Sequence, residues 1–455
     1  MRHTIRFSIS ILLLLFTLTL SAAAAQDILD QQPLMQMLAR VPDTAVSRSE
    51  IYFNDRRAVE SAYPDAKMPA NWGEFELITP DALDNPVTAA LIKPLAVWWR
   101  VWMRNSSSLM LRDFRSAQDM AATVGFDFFN IDQELNYGLP PQQTLQLAGT
   151  FNLEAVRTAY TALDFAREDR SDVELWCGPD GCDSGMQVNV RNRNPANPFG
   201  GDLGRKWPML VQDGMLIGSP DFQNIENHID VISGAASSLA AAPEYRAAVE
   251  AVTSKGVLMQ AYFLDGEPLA QMGQPANLIS DPRLTPEQIN ALIERLFPDF
   301  EPLPAFQLLM LGDTVSDTQQ AAQIALVYAD AADAATAAEL LPKRIEDYQS
   351  FRLNRPFKEV LADRGVLAPS VQLIDSAAGG PSVVLVTFAT TKATSEQILE
   401  FTASSGPVGV TAPGMVYNLL AQSVLARDIG WLSTATREDL QALAGSSPMQ
   451  THWRP

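Results

Sequence analysis

A strand followed at once by a capped helix occurs twice in this chain, and this limits the folds that the chain can adopt. In TLQLAG (Thr144–Gly149), apolar and polar residues alternate as in a half-buried strand, and Asn152 is placed to cap the helix LEAVRTAYTAL. The segment QIALVYADAADAATAAELL (Gln323–Leu341) repeats this step. The segments IYFNDR and AYFLDG, at residues 51–56 and 261–266, also share Tyr-Phe-x-Asp. Two related halves are therefore predicted.

Turn and cap signals around these units predict antiparallel strands and further helices. Asp213-Gly214 is a hairpin dipeptide, and Gly379-Gly380 separates two strand-like runs. Thr285 and Gln288 form a capping-box pattern, and residues 80–125 are mainly helical in pattern. We predict an α+β fold with two related lobes, each a mostly antiparallel sheet with packed helices. The lobes are residues 26–250, with a helical insertion at about residues 80–125, and residues 251–455.

The first 25 residues have the pattern of a secretory signal peptide. Arg2 and Arg6 precede the apolar run Ile9–Leu20, which is too short to cross a bilayer, and small residues follow up to Ala25. We expect cleavage near Ala25 and a secreted or periplasmic mature protein. No later segment approaches the roughly 18 apolar residues of a transmembrane helix, so we expect no span in the mature chain.

The chain contains two cysteines, Cys177 and Cys182, with Gly-Pro-Asp-Gly between them. These turn-forming residues let the chain reverse and bring the sulfurs together. In an exported protein the pair favours a disulfide that closes a hairpin. The alternatives are free thiols, or a metal site that would need two more soft ligands.

The charge of the chain excludes one class of partner. With 33 Lys and Arg against 53 Asp and Glu, its net charge is −20, which repels phosphate backbones, and no basic stripe is present. We therefore expect no nucleic-acid partner.

Sequence patterns typical of common enzyme classes are also absent. The chain lacks Gly-x-Ser-x-Gly, His-Glu-x-x-His and the glycine-rich loops that bind nucleotides. His228 and His452 are the histidines beyond the signal peptide, and His228 has the context of an ordinary helix residue.

The loop from Asp183 to Trp207 is rich in Asn, Gly, Pro and Asp, and it is one candidate binding site. The oxygens offered to a calcium ion in and beside this loop belong to Asp180, Asp183, Asn194, Asn197 and Asp202. Their spacing does not match an EF-hand, and the alternative is a long hairpin in which Asn and Gly form turns. No other cofactor is expected.

A cluster of tryptophans in PLAVWWRVWMR is the other candidate site. On a helix, Trp98 and Trp102 lie four residues apart on one face, and Trp99 lies beside them. The three rings either line a groove for a lipid, glycan or peptide or belong to a buried core helix.

Three segments between Val124 and Glu250 resemble a family of bacterial exported proteins of unknown function with tandem α+β modules. They are VGFDFFNIDQELNYGLPP, GTFNLEAVRTAY and GMLIGSPDF. The resemblance implies architecture and export, and it carries no catalytic residues to this chain.

These observations favour a non-catalytic binding or interaction module at the cell envelope, with an unknown protein, glycan or lipid partner. One alternative is an acid-dependent extracellular hydrolase built on paired carboxylates. The other alternative is a structural component of the envelope.

Overall fold

The computed structural model describes most of the chain between residues 28 and 435. The described residues are 28–104, 117–266, 301–375, 380–401 and 410–435, except for residues 171, 351 and 427. Residues 285, 287, 288 and 291 are also described. The predicted signal peptide, Gly379 and His452 lie outside them. Of the helices within these ranges, none has both the length and the apolar character needed to span a bilayer.

Fourteen strands are found in the described part of the chain. They are β1 (Glu50–Asp55), β2 (Ile131–Tyr137), β3 (Thr144–Gly149), β4 (Ala166–Arg170), β5 (Val173–Cys177), β6 (Met209–Gln212), β7 (Met215–Gly218), β8 (Val257–Asp265), β9 (Leu308–Val315), β10 (Gln319–Tyr328), β11 (Gln349–Ser350), β12 (Arg355–Pro356), β13 (Ser370–Ile374) and β14 (Ser382–Thr391).

The helices of the same residues connect and cover these strands. They are α1 (Pro33–Leu38), α2 (Ala45–Ser49), α3 (Ala58–Ala62), α4 (Trp72–Glu76), α5 (Pro80–Asp84), α6 (Pro86–Arg104), α7 (Met120–Val124), α8 (Leu153–Ala162), α9 (Phe222–Ile232), α10 (Pro243–Thr253), α11 (Ala331–Asp347), α12 (Phe357–Asp363), α13 (Ser395–Glu400) and α14 (Met415–Leu425).

Twelve of the strands form one antiparallel sheet. Its order is β13-β14-β10-β9-β8-β1-β2-β3-β7-β6-β5-β4, while β11 and β12 pair separately. The α+β class and the mostly antiparallel pairing predicted from the sequence are confirmed. The predicted helical insertion contains α5, α6 and α7.

The two halves of the chain contribute similar series of strands on either side of the β1–β8 pair. In each half a three-stranded meander, β1–β2–β3 or β8–β9–β10, is followed by a helix, α8 or α11. Tyr52 and Tyr262, which share the Tyr-Phe-x-Asp pattern, are direct partners across β1 and β8, and their rings stack at 4.3 Å. The predicted division at residue 250 falls within α10, and the separation into two domains stays a prediction.

Among the described residues, one face of the sheet carries a single apolar cluster. Ile51, Phe53 and Phe263 lie in it, and side chains of α1, α9 and α10 cover it. The opposite face carries two separate clusters. One contains Trp98 and the other contains Tyr262.

A row of buried polar side chains crosses this second face between its two clusters. Asp313, Gln260, Asn54 and Glu134 are successive cross-strand partners on β9, β8, β1 and β2. Cross-strand partners point to the same face of a sheet, so the four side chains form a continuous row. None of them is more than 8% exposed.

Candidate functional site

The disulfide between Cys177 and Cys182 is present, as the sequence predicts. It links the end of β5 to the following turn, with the two Cα atoms 4.7 Å apart. Gly181 has a φ of 89°, a conformation that favours glycine and lets the intervening segment turn back. Disulfides are typical of proteins that function outside the cytoplasm.

The segment after the disulfide is folded through its own turns. Asn194 Oδ1 accepts a hydrogen bond from the Ala196 N–H at 3.1 Å, and Asn197 Oδ1 accepts one from the Phe199 N–H at 2.9 Å. The backbone also pairs across the segment, because the Asn194 N–H donates to Gly201 O at 2.8 Å. The asparagines therefore act as turn formers, which was the alternative to the calcium hypothesis.

The candidate calcium ligands are not gathered around a common point by any contact in the described residues. Asp180, Asp183 and Asp202 are exposed, and Asn194 and Asn197 already use their side-chain oxygens within the loop. No group of three or more Asp, Glu, His or Cys in the described residues is placed to hold a metal ion. We make no calcium proposal.

The same segment exposes large apolar side chains. Met186, Val188, Val190 and Leu203 are 38%, 53%, 69% and 39% exposed, and they are four of the thirteen such side chains in the described residues. Single exposed apolar residues are common, whereas a contiguous exposed apolar surface is typical of an interaction site, so this segment is a candidate. The alternation of Met186, Val188 and Val190 with polar residues is the pattern of a strand, yet no strand forms here.

Four basic side chains accompany these apolar groups. Arg191 and Arg193 are exposed, Arg205 and Lys206 are half-buried, and Asp202 is the one acid between residues 186 and 206. None of the four forms an ion pair with a described carboxylate. Other arginines do form ion pairs; Arg157, for example, lies 2.6 Å from Glu174.

Residues 186–206 thus form a surface segment that we call the basic–apolar loop. Its own hydrogen bonds, the disulfide before it and Phe199, which packs on Gly218 of β7, hold it in place. At its base, Arg205 Nε and Trp207 Nε1 are buried without a described hydrogen-bond partner. The exposed apolar groups and the local positive charge are separate features, and neither was predicted from the sequence.

Trp98 and Trp102 lie in the core rather than on a surface. They are 0% and 1% exposed, and their rings stack at 5.5 Å. Trp98 Nε1 donates to the backbone oxygen of Arg56 at 3.1 Å. Trp99 is half-buried with its ring 4.5 Å from that of Phe75. Trp98 and Trp102 present no surface to a ligand, so we propose no groove there.

The buried row does not have the geometry of a two-carboxylate hydrolase. Asp313 and Glu134 are its acids, and the strands that carry them, β9 and β2, are three spacings apart, about 14 Å between backbones. Glycosidases hold their two carboxyl groups roughly 5 to 9.5 Å apart. Burial raises the pKa of Asp313 to about 7, while Glu134 pairs with the buried Arg56 at 3.5 Å.

His228, interpreted from the sequence as an ordinary helix residue, is a buried residue of α9. Its side chain is fully buried, with Nε2 2.8 Å from the Tyr137 hydroxyl and Nδ1 2.7 Å from the backbone oxygen of Arg40. Burial lowers its pKa to about 4. These contacts give His228 a role in joining α9 to β2 and to the residues after α1.

Comparisons with known proteins do not identify a family. No family model and no curated protein matches the chain. Among solved structures, crystal form III of TP0453 is similar at a TM-score of 0.32 and 7% identity, covering 78% of this chain and 93% of that one. Crystal form I of TP0453 gives a TM-score of 0.30 and 7% identity, covering 79% and 93%. Similarity at this level supports no inference about function.

Proposed function

We propose that this protein is an exported, non-catalytic binding module of the cell envelope and that the basic–apolar loop is its binding surface. The observation that carries the proposal is the concentration of exposed aliphatic and unpaired basic side chains on one loop of an acidic protein. The predicted signal peptide and the disulfide support a position outside the cytoplasm.

The aliphatic side chains supply the affinity in this proposal. Transfer of apolar surface out of water is favourable by about 25 cal/mol per Å², and this gain offsets the entropy cost of association. Val188 and Val190, more than half exposed in the free protein, have the largest area to lose. A partner that covers this loop therefore gains binding free energy without any change in the sheet beneath it.

The basic side chains select the chemistry of the partner. Arg191 and Arg193 form no ion pair with a described acid, so their charges are available to an anionic group. The remainder of the chain is strongly acidic, which orients an anionic partner towards the loop. The partner is thus expected to be anionic with some apolar surface.

The folded state of the loop favours binding further. The disulfide and the backbone hydrogen bonds between Asn189 and Leu203, and between Asn194 and Gly201, fix the loop before any partner arrives. A preorganised surface loses little conformational entropy on association, so more of the contact energy appears as affinity.

The test is a charge reversal in the loop. The mature protein and the variant Arg191→Glu/Arg193→Glu are titrated with poly-glutamate, with an acidic polysaccharide and with phosphatidylglycerol vesicles. At least one probe is expected to bind the wild type, and the variant should bind it about tenfold more weakly or worse. A second variant, Val188→Ser/Val190→Ser, should also weaken binding because it removes the exposed aliphatic surface.

The matched control is Lys343→Glu/Arg364→Glu, which makes the same charge change at two exposed positions of the second half. It should bind as the wild type does. The proposal is wrong if no probe binds the wild type, or if the control loses as much affinity as the loop variant.

A further inference from the structure

We infer that a second copy of this chain is a partner of the basic–apolar loop, which docks on an acidic helical surface at residues 76–91. This inference rests on the proposed function because it uses the same loop as the binding surface. The observation behind it is a second set of exposed apolar side chains. These side chains lie among acidic residues, whereas those of the loop lie among basic residues.

The segment 76–91, which we call the acidic helical patch, exposes three large apolar side chains. Leu77, Val87 and Leu91 are 47%, 86% and 66% exposed. Val87 and Leu91 are one turn apart on α6, so they face the same direction. The hydroxyl of Thr88 donates to the Ala82 backbone oxygen at 2.8 Å, which holds α5 beside the start of α6.

The acids of the patch lie next to these apolar groups. Glu76, Asp81 and Asp84 are exposed, and no Lys or Arg occurs between residues 76 and 91. The basic–apolar loop has the opposite balance, with four basic residues and one acid. Each surface therefore combines aliphatic groups with the charge that the other lacks.

The two surfaces do not cover each other within one molecule. Val87, Val190 and Leu91 are the three most exposed large apolar side chains in the described residues. A contact between the loop of one copy and the patch of another would bury all three. It would also bring Arg191 and Arg193 close to the acids of the patch. Opposite charges therefore favour a loop-to-patch contact over a loop-to-loop or patch-to-patch contact.

A contact between two different surfaces leaves one loop and one patch uncovered at the ends of every open assembly. Such an arrangement either closes into a reciprocal dimer or ring or continues to grow. Salt screens the electrostatic attraction between the loop and the patch, because the Debye length falls from about 10 Å at 0.1 M to about 3 Å at 1 M. Self-association should therefore weaken as salt is raised.

Sedimentation velocity of the mature protein over a range of concentration and salt tests this inference. The wild type should associate at low salt. Arg191→Glu/Arg193→Glu and Asp81→Lys/Asp84→Lys should each weaken association about tenfold or more. All four positions are exposed, so the variants are expected to fold, and circular dichroism checks this.

A stricter test than the loss of association is its recovery when the two charge-reversed variants are mixed. An equimolar mixture of the two variants should associate, because each contains one intact surface and the two reversed surfaces match each other. The chain that carries all four substitutions should also associate. The control Lys343→Glu/Arg364→Glu should behave as the wild type.

Three results would overturn the inference: a monomeric wild type at low salt, association that neither variant weakens, or a mixture that fails to associate. If the wild type is monomeric and the loop variant still loses the anionic probe, the proposed function stands and only self-association is rejected. If probe binding also survives the loop variant, the proposed function is rejected as well.

Discussion

Replacement of Asp313 by asparagine should change how the stability of this protein depends on pH. Asp313 lies in the buried polar row on β9, is 4% exposed, and accepts a hydrogen bond from Gln260 Nε2 at 3.2 Å. Burial raises the pKa of its carboxyl from 3.8 to about 7. Asn has nearly the same shape, can accept the same hydrogen bond and does not ionise.

The sign and size of the effect follow from this pKa. Between about pH 4 and pH 7 the folded state holds a proton that the unfolded state has released, so the free energy of unfolding falls as pH rises. Each unit of pKa shift corresponds to about 1.4 kcal/mol, which gives a loss of about 4 kcal/mol over this window. Asp313→Asn has no such loss, so its advantage over the wild type should grow by about that amount between pH 4 and pH 8.

Urea unfolding of both proteins at about pH 4, 6 and 8 measures this difference. Other groups that titrate in this range, such as His228 and Asp55, are present in both proteins and cancel from the comparison. Asp317→Asn, at an exposed position on the turn after β9, is the control and should show no comparable trend. A difference between Asp313→Asn and wild type that stays constant with pH would refute the reasoning.

Three further substitutions have expected outcomes. Trp98→Ala removes a fully buried ring and should lower the free energy of unfolding by about 3 to 5 kcal/mol in a urea titration, and an unchanged value would contradict its place in the core. Cys177→Ser/Cys182→Ser should cost about 2 kcal/mol or less and speed proteolysis of the basic–apolar loop, whereas equal cleavage rates would show that the disulfide does not fix the loop. Burial lowers the pKa of His228 to about 4, so the wild type loses stability as pH falls below about 6.5. His228→Gln should show a smaller loss between pH 6.5 and pH 4 in the same urea assay, and an equal loss would contradict this role.

Local chemistry allowed several elements to be predicted from the sequence. Asn152 caps α8, with its Oδ1 accepting from the N–H groups of residues 154 and 155. Thr285 and Gln288 form both hydrogen bonds of the predicted capping box. Asp213 and Gly214 connect β6 to β7 as predicted for a hairpin. Each of these features depends on groups a few residues apart, so the sequence alone contains the information.

The order of the sheet and its buried polar row could not be predicted in this way. Asn54, Glu134, Gln260 and Asp313 are far apart in the chain and become neighbours only when β1, β2, β8 and β9 pair. The sequence offers one signal of the row, a polar residue inside an otherwise apolar strand, such as Asp313 in LLMLGDTV. It does not show which other strand supplies its neighbour.

The basic–apolar loop shows how local patterns can mislead. Its alternation at residues 186, 188 and 190 is typical of a strand, and a strand would have placed these side chains on an apolar face. The turns at Asn194 and Asn197 give the chain a different path. The apolar side chains are consequently exposed, which only the three-dimensional structure reveals.

The β1–β8 ladder at the centre of the sheet also sets an order of events during synthesis. Tyr52 and Tyr262 are 210 residues apart, so β1 is made long before the strand that pairs with its second edge. Until β8 arrives, an N-terminal half that has begun to fold displays β1 as an open edge with unpaired backbone groups. Such an edge pairs readily with other chains. A chaperone that shields residues 50–55 during this interval would prevent aggregation without touching the mature fold.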